Sequence, residues 1–264
     1  MSEIEESDTN EEGNESPEVN QTNLFEVRDK ELKAGGKRTW LHRLYLVASL
    51  DLRYEEPEDI QRRASLVKTQ LDEFGGECEQ QIKQLYNTYR EEAASGFLLI
   101  YPRYMVHMLE SSEDCIVAYL MALRQMRQEP NSKLLDTKVL LMAHDIPTRL
   151  FEAWSYRGIG APSREQVDSS MSSRKAATAC LTQLLGLAAH LKKTPKANLK
   201  NAMDLLSERV PELLPTEDLL QLLLKQDAFL SVEEYLDLYY TPLAPADETE
   251  LVWPLPGHMF PYYH

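Results

Sequence analysis

The chain has 264 residues, of which 43% are hydrophobic and 27% charged, enough for one or two domains with a buried core. Its net charge of −15 gathers at the front, where residues 1–26 hold nine acids and no Lys or Arg, leaving 34 acids against 28 bases elsewhere. Neither part offers the basic excess that a phosphate backbone selects, and no apolar run approaches the roughly 20 residues that span a bilayer, so neither nucleic acid nor membrane is expected as a partner.

Residues 1–36 are rich in Glu, Asn, Ser and Thr and are expected to be a disordered acidic tail, with Leu24 and Phe25 able to dock locally. The opening MSEIEESD has no cationic or apolar export signal, so a cytoplasmic protein is expected. Cys78, Cys115 and Cys180 form no CxxC pair and no zinc-spaced cluster, which fits reduced thiols and no metal.

A folded α+β domain is expected over residues 37–160. The apolar run from Leu41 to Ser49 reads as a buried strand. Pro57 and its flanking acids start a helix carrying Ile60, Ala64, Val67 and Leu71. Gly75-Gly76 is expected to break it, with a second helix through Ile82, Leu85, Tyr86 and Tyr89. Phe97–Tyr101 and Tyr104–Leu109 read as a hairpin turning at Pro102-Arg103. Ser111 to Asp114 cap a helix with Ile116, Tyr119, Leu120, Leu123 and Met126 inward. Lys138–Ala143 is a fourth strand, and Trp154–Tyr156 a short fifth. The order β-α-β-β-α-β is ferredoxin-like, with helices on one face of an antiparallel sheet whose other face is polar or covered.

A linker is expected over 161–173 and a helical extension over 174–240, with helices near 176–191, 197–209, 216–225 and from Ser231. The Pro/aromatic tail 241–264 offers Trp253, Phe260, Tyr262 and Tyr263 as partner contacts.

Enzyme motifs fail on their residues. KAGGKRT has Glu31 where a phosphate loop needs its first glycine, and Gly158-Ile159-Gly160 precedes no helix. His144-Asp145 has no neighbouring nucleophile and reads as a strand-end turn. Arg62-Arg63-Ala64-Ser65 matches a basophilic kinase consensus inside a predicted helix.

Three segments carry a family resemblance. They are Leu41-His42-Arg43-Leu44-Tyr45-Leu46, then Ser95–Tyr101 with Tyr104–Glu110, then Arg149-Leu150-Phe151-Glu152-Ala153-Trp154-Ser155. Together they resemble the BLUF family, sensors of blue light using flavin. The whole chain is also similar to the testis-expressed protein 47 family, whose members carry a BLUF-like domain. The resemblance implies a ferredoxin-like domain and a flavin site built on a tyrosine, a glutamine and an asparagine. Those positions fall on Leu46, on His107 and near Tyr89, while the family tryptophan is kept as Trp154 and a methionine becomes Tyr156. A one-residue slip would bring Tyr45 to the first position but would turn the strand's other face inward.

The expectation is therefore a non-enzymatic adaptor that binds protein through a flavin-less BLUF-like domain and its C-terminal helices. The family implies testis expression, and from that follows an expected place in the sperm flagellar axoneme. The alternative is a sensor that still takes FAD, FMN or another flat ring between the two domain helices.

Overall fold

Asn23 starts the first helix by accepting a hydrogen bond from the backbone N–H of Glu26 at 2.8 Å. In the structure, a computed structural model, residues 23–35, 39–52, 60–89, 94–159, 168, 170–194 and 203–242 are described. The helix α1 (Leu24–Ala34) lies in a first unit, Met1–Arg38, and everything from Thr39 onward lies in a second. This corrects the expected disorder for residues 24–34. The cap is joined by the pairs Arg28–Glu31 and Asp29–Lys33 at helical spacing, which composition alone does not reveal. The expectation for residues 1–22 lies outside the described residues.

In the second unit, strand β1 (His42–Leu50) sends Leu44, Leu46 and Ala48 to one face and Tyr45 and Val47 to the other. All five are buried, so the strand reads as a continuous apolar run. It is followed by α2 (Ile60–Thr88), β2 (Ser95–Ile100), β3 (Tyr104–Ser111), α3 (Glu113–Gln128), β4 (Leu134–Ala143) and β5 (Trp154–Gly158). The sheet order is β4-β1-β3-β2-β5. The first four strands pair antiparallel, and β5 adds to β2 in parallel. The α+β, ferredoxin-like order is present, with the fifth strand as a parallel addition.

The expected break at Gly75-Gly76 does not occur, because α2 runs through both glycines. Leu71, Phe74, Cys78 and Ile82 form one buried stripe on both sides of the pair and anchor the helix across it. Gly75 serves a different purpose: a Cβ there would lie 2.1 Å from Cε2 of Tyr156. Its bareness lets α2 approach β5. Gly96 in β2 is equally constrained, with a φ of +149° and a hypothetical Cβ 2.1 Å from the Met108 carbonyl oxygen.

The C-terminal helices are α4 (Ser173–Lys193), α5 (Leu206–Arg209), α6 (Glu217–Lys225) and α7 (Val232–Tyr240). Ala176, Cys180, Leu184 and Leu187 of α4 pack with Leu219, Leu220 and Leu223 of α6 against Tyr45, Val47, Phe97 and Met108 of the sheet. The second face is thus the covered kind. The expected extension belongs to the domain core. Val232, Tyr235 and Leu236 of α7 return to the first face, beside α3. Caps set these helices: Thr216 accepts from Leu219 N–H, and Ser231 and Glu234 form a reciprocal capping box. Ser112 precedes α3 without a side-chain cap bond, contrary to the expected cap. The helix expected over 197–209 is described only from Met203, and most of the expected linker lies outside the described residues.

Candidate functional site

Leu46 and His107 sit opposite each other across β1 and β3, on the face covered by α2 and α3. Both are buried. The indole N–H of Trp154 donates to Nε2 of His107 at 2.8 Å, and Nδ1 of His107 lies 2.7 Å from the Tyr119 hydroxyl. An indole only donates, so Nε2 carries the lone pair and Nδ1 carries the proton. Nδ1–H therefore donates to the Tyr119 oxygen. Burial pulls the His107 pKa down to about 3, so the ring is neutral. Burial likewise raises the Tyr119 hydroxyl well above its ordinary value. The result is a directed chain, Trp154 to His107 to Tyr119, that uses both ring nitrogens of His107.

The flavin implied by the resemblance can be tested against these side chains. Leu46 has no hydroxyl, and its volume fills the sheet face beside Leu71, Phe74 and Leu98. Both ring nitrogens of His107 are committed to protein partners, leaving none for a ligand. Tyr45 points to the opposite face, so a register slip does not repair the site. Tyr89 is half-buried at the end of α2, and the Tyr156 ring lies in the slot over Gly75. These residues do not fit a flavin held in the family's manner.

The other resembling residues build a lock. Glu110 of β3 is fully buried, and its carboxylate accepts from Arg43 Nε at 2.7 Å and from the Ser95 hydroxyl at 3.2 Å. It also accepts from the backbone N–H groups of Leu150 and Phe151, at 3.0 and 3.2 Å. Arg149 Nη1 donates to the Ser95 hydroxyl and the Glu110 carbonyl. The segment 149–151 is thereby pinned to β1, β2 and β3, which delivers Trp154 to His107. The role of Glu110 is not legible from the sequence. The available signal was a lone carboxylate at the end of an apolar strand.

An open groove of about 540 Å³ runs along the β4 edge beside α7. Leu230 and Ser231 cover β4 through Val139 and Lys138, and the groove begins where that cover stops. Its apolar walls include Leu141, Met142, Phe229, Tyr235 and Tyr239. Leu141 is 41% exposed and Tyr239 61% exposed, with Leu238 nearby on α7 at 64%. Glu113 accepts from the Tyr240 hydroxyl at 2.8 Å at one end, and burial plus that carboxylate raise the Tyr240 pKa. The nearby Nδ1 atoms of His144 and His42 are 3.0 Å apart, and burial followed by His144 lowers the His42 pKa. A second groove of about 380 Å³ lies between α2 and α3, lined by Leu85, Met126 and polar residues such as Gln81 and Gln125.

Leu46, His107 and Trp154 are thus brought together, and Tyr89 joins the same core from its rim. Trp253, Phe260, Tyr262 and Tyr263 lie outside the described residues. Among the described residues there is no metal-binding group of His, Cys, Asp and Glu, and no helix long and apolar enough to cross a membrane. His144-Asp145 is a strand-end turn, with Asp145 at a φ of 50°.

The family model for testis-expressed protein 47 matches residues 40–241. Among solved structures, the chain is similar to the BLUF domain of BlrP1, a Klebsiella pneumoniae protein, at 14% identity and a TM-score of 0.31. That match covers 46% of this chain and 66% of the other. BlrB, a BLUF protein in its dark state, matches at 16% identity and a TM-score of 0.25, over 46% of this chain and 73% of its own. A bacterial light-regulated adenylyl cyclase matches at 15% identity and a TM-score of 0.28, over 62% of this chain and 39% of the cyclase. The chain thus spans less than two thirds of BlrP1 BLUF and of the cyclase.

Proposed function

The chain belongs to the testis-expressed protein 47 family, and on that premise we propose that it is a non-enzymatic adaptor whose β4–α7 groove binds a protein partner. The observation that carries this reading is the exposure of Leu141 and Tyr239 beside an open groove at a sheet edge. Large apolar side chains left in water at a strand edge are what a partner segment covers, with backbone pairing along the edge and apolar anchors in the groove. The commitment of both His107 ring nitrogens to Trp154 and Tyr119 supports the loss of flavin chemistry, because the imidazole has neither a donor nor an acceptor left for a ring. Testis expression of the family points to the sperm flagellum, and the proposed place of action is its axoneme.

The sensor alternative has one feature in its favour, the groove between α2 and α3. Its lining includes neither Leu46, His107 nor Trp154, so a ring bound there would not touch the site that gives the BLUF resemblance its chemistry.

The test compares the native chain with a Leu141→Asp/Tyr239→Asp variant in detergent-extracted sperm. The native chain stays on the axoneme and the variant washes out. Loss of both with the soluble fraction would contradict the axonemal reading, and retention of both would remove the groove from it.

A further inference from the structure

We propose that Ser65 is a phosphorylation site for a basophilic protein kinase, one that requires two arginines just before the acceptor and an apolar residue just after it. The sequence Gln61-Arg62-Arg63-Ala64-Ser65-Leu66 supplies Arg at −3 and −2 and Leu at +1. Such kinases bind the substrate extended, so a motif buried in a helix is silent whatever its residues. In this chain the motif lies on an exposed stretch near the start of α2.

Ser65 is exposed, as are Arg62 and Ala64. It lies early in α2, and the buried anchors of that helix begin only at Leu71 and continue through Phe74, Cys78 and Ile82. Among residues 61–70 with described side chains none is buried, and Leu66 and Val67 are only half-covered. The first turns therefore lie ahead of the buried stripe that holds α2 to the sheet, with half-covered Val67 the first described residue packed against the core. Helix ends that lack buried contacts open locally without opening the core. Unwinding to Leu66 leaves the Leu71–Ile82 stripe in place, while the Thr69 hydroxyl gives up its 3.0 Å bond to the Ser65 carbonyl.

The reaction is phosphoryl transfer from ATP. The Ser65 hydroxyl oxygen attacks the γ-phosphorus, the bond to the β-bridging oxygen breaks, ADP leaves, and the hydroxyl proton passes to the kinase base. The product places close to two negative charges on a surface that carries Arg62 three residues before and Lys68 three after. Both neighbours sit at helical spacing, so the phosphorylated helix re-forms with charge-assisted pairs along one face.

The experiment incubates the full native chain with ATP, magnesium and the catalytic subunit of cAMP-dependent protein kinase, then maps the label by peptide mass. One phosphate on Ser65 is expected, with Ser65→Ala losing it and Arg62→Ala, which keeps the acceptor, slowing it at least tenfold. Undiminished labelling of Ser65→Ala would overturn the proposal. So would a native chain that resists while a peptide of residues 60–68 is labelled, because the helix would then be closed to the kinase.

Discussion

Trp154 of β5 donates its indole N–H to Nε2 of His107 on β3, and that one bond fixes the tautomer of a histidine in the core. The proton is forced onto Nδ1 and toward Tyr119. Replacing His107 with Leu keeps the volume and strands both the Trp154 N–H and the Tyr119 hydroxyl. Each loses about 1–3 kcal/mol, so urea unfolding is expected to show a loss of roughly 2–6 kcal/mol. An unchanged midpoint would mean the chain is not formed.

Acid should weaken the fold through the same residue. The folded pKa of His107 is near 3 against an ordinary 6.5. Above about pH 6.5 both states are neutral and the contribution is fully present. As pH falls from there the unfolded chain takes a proton that the folded chain refuses, so stability drops until the folded pKa is reached. The slope from His107 alone is up to about 1.4 kcal/mol per pH unit. His42, also lowered, adds in the same direction. Unfolding curves between pH 7 and 4 check this, and His107→Leu should flatten the dependence.

The two adjacent glycines of α2 should respond oppositely to alanine. At Gly75 the new methyl meets the Tyr156 ring at 2.1 Å, and overpacking of this kind costs about 1–3 kcal/mol. At Gly76 nothing lies within 4 Å, and the gain in helix propensity is about 1 kcal/mol. Tyr156→Ala should rescue Gly75→Ala. Thermal unfolding of the four variants reads out the pattern, and equal effects at both glycines would contradict it.

Glu110→Gln should detach the 149–151 segment. The amide still accepts from Leu150 and Phe151, but Arg43, whose side chain is only 13% exposed, loses its ion pair. Breaking one side of such a pair costs about 3–5 kcal/mol. Hydrogen exchange should show faster opening of β5 than of β1.

Much of this fold is legible in the sequence because the signals are local. Leu44 to Ala48 is too apolar and short for anything but a buried strand, and Thr216 and Ser231 announce their helices by capping chemistry. The reason for Gly75 is not legible locally, because it lies 81 positions away, in Tyr156. Helix α1 is hidden in the sequence because its acidic, polar composition masks a capped, ion-paired helix. For the site, substitution at Leu46 and His107 was visible at once, but the hydrogen bonds that close His107 required β5 to be placed beside β2. The β4 groove was invisible, since Leu141 and Tyr239 meet only through the return of α7.

The central claim, that this BLUF-like core has given up its flavin, is tested most directly by a visible absorption spectrum. The purified chain is mixed with excess FMN and FAD, desalted and scanned. The account predicts a colourless protein, because Leu46 fills the site and both nitrogens of His107 are already bonded. A yellow protein with flavin in stoichiometric amount would contradict it and would put the sensor reading in its place.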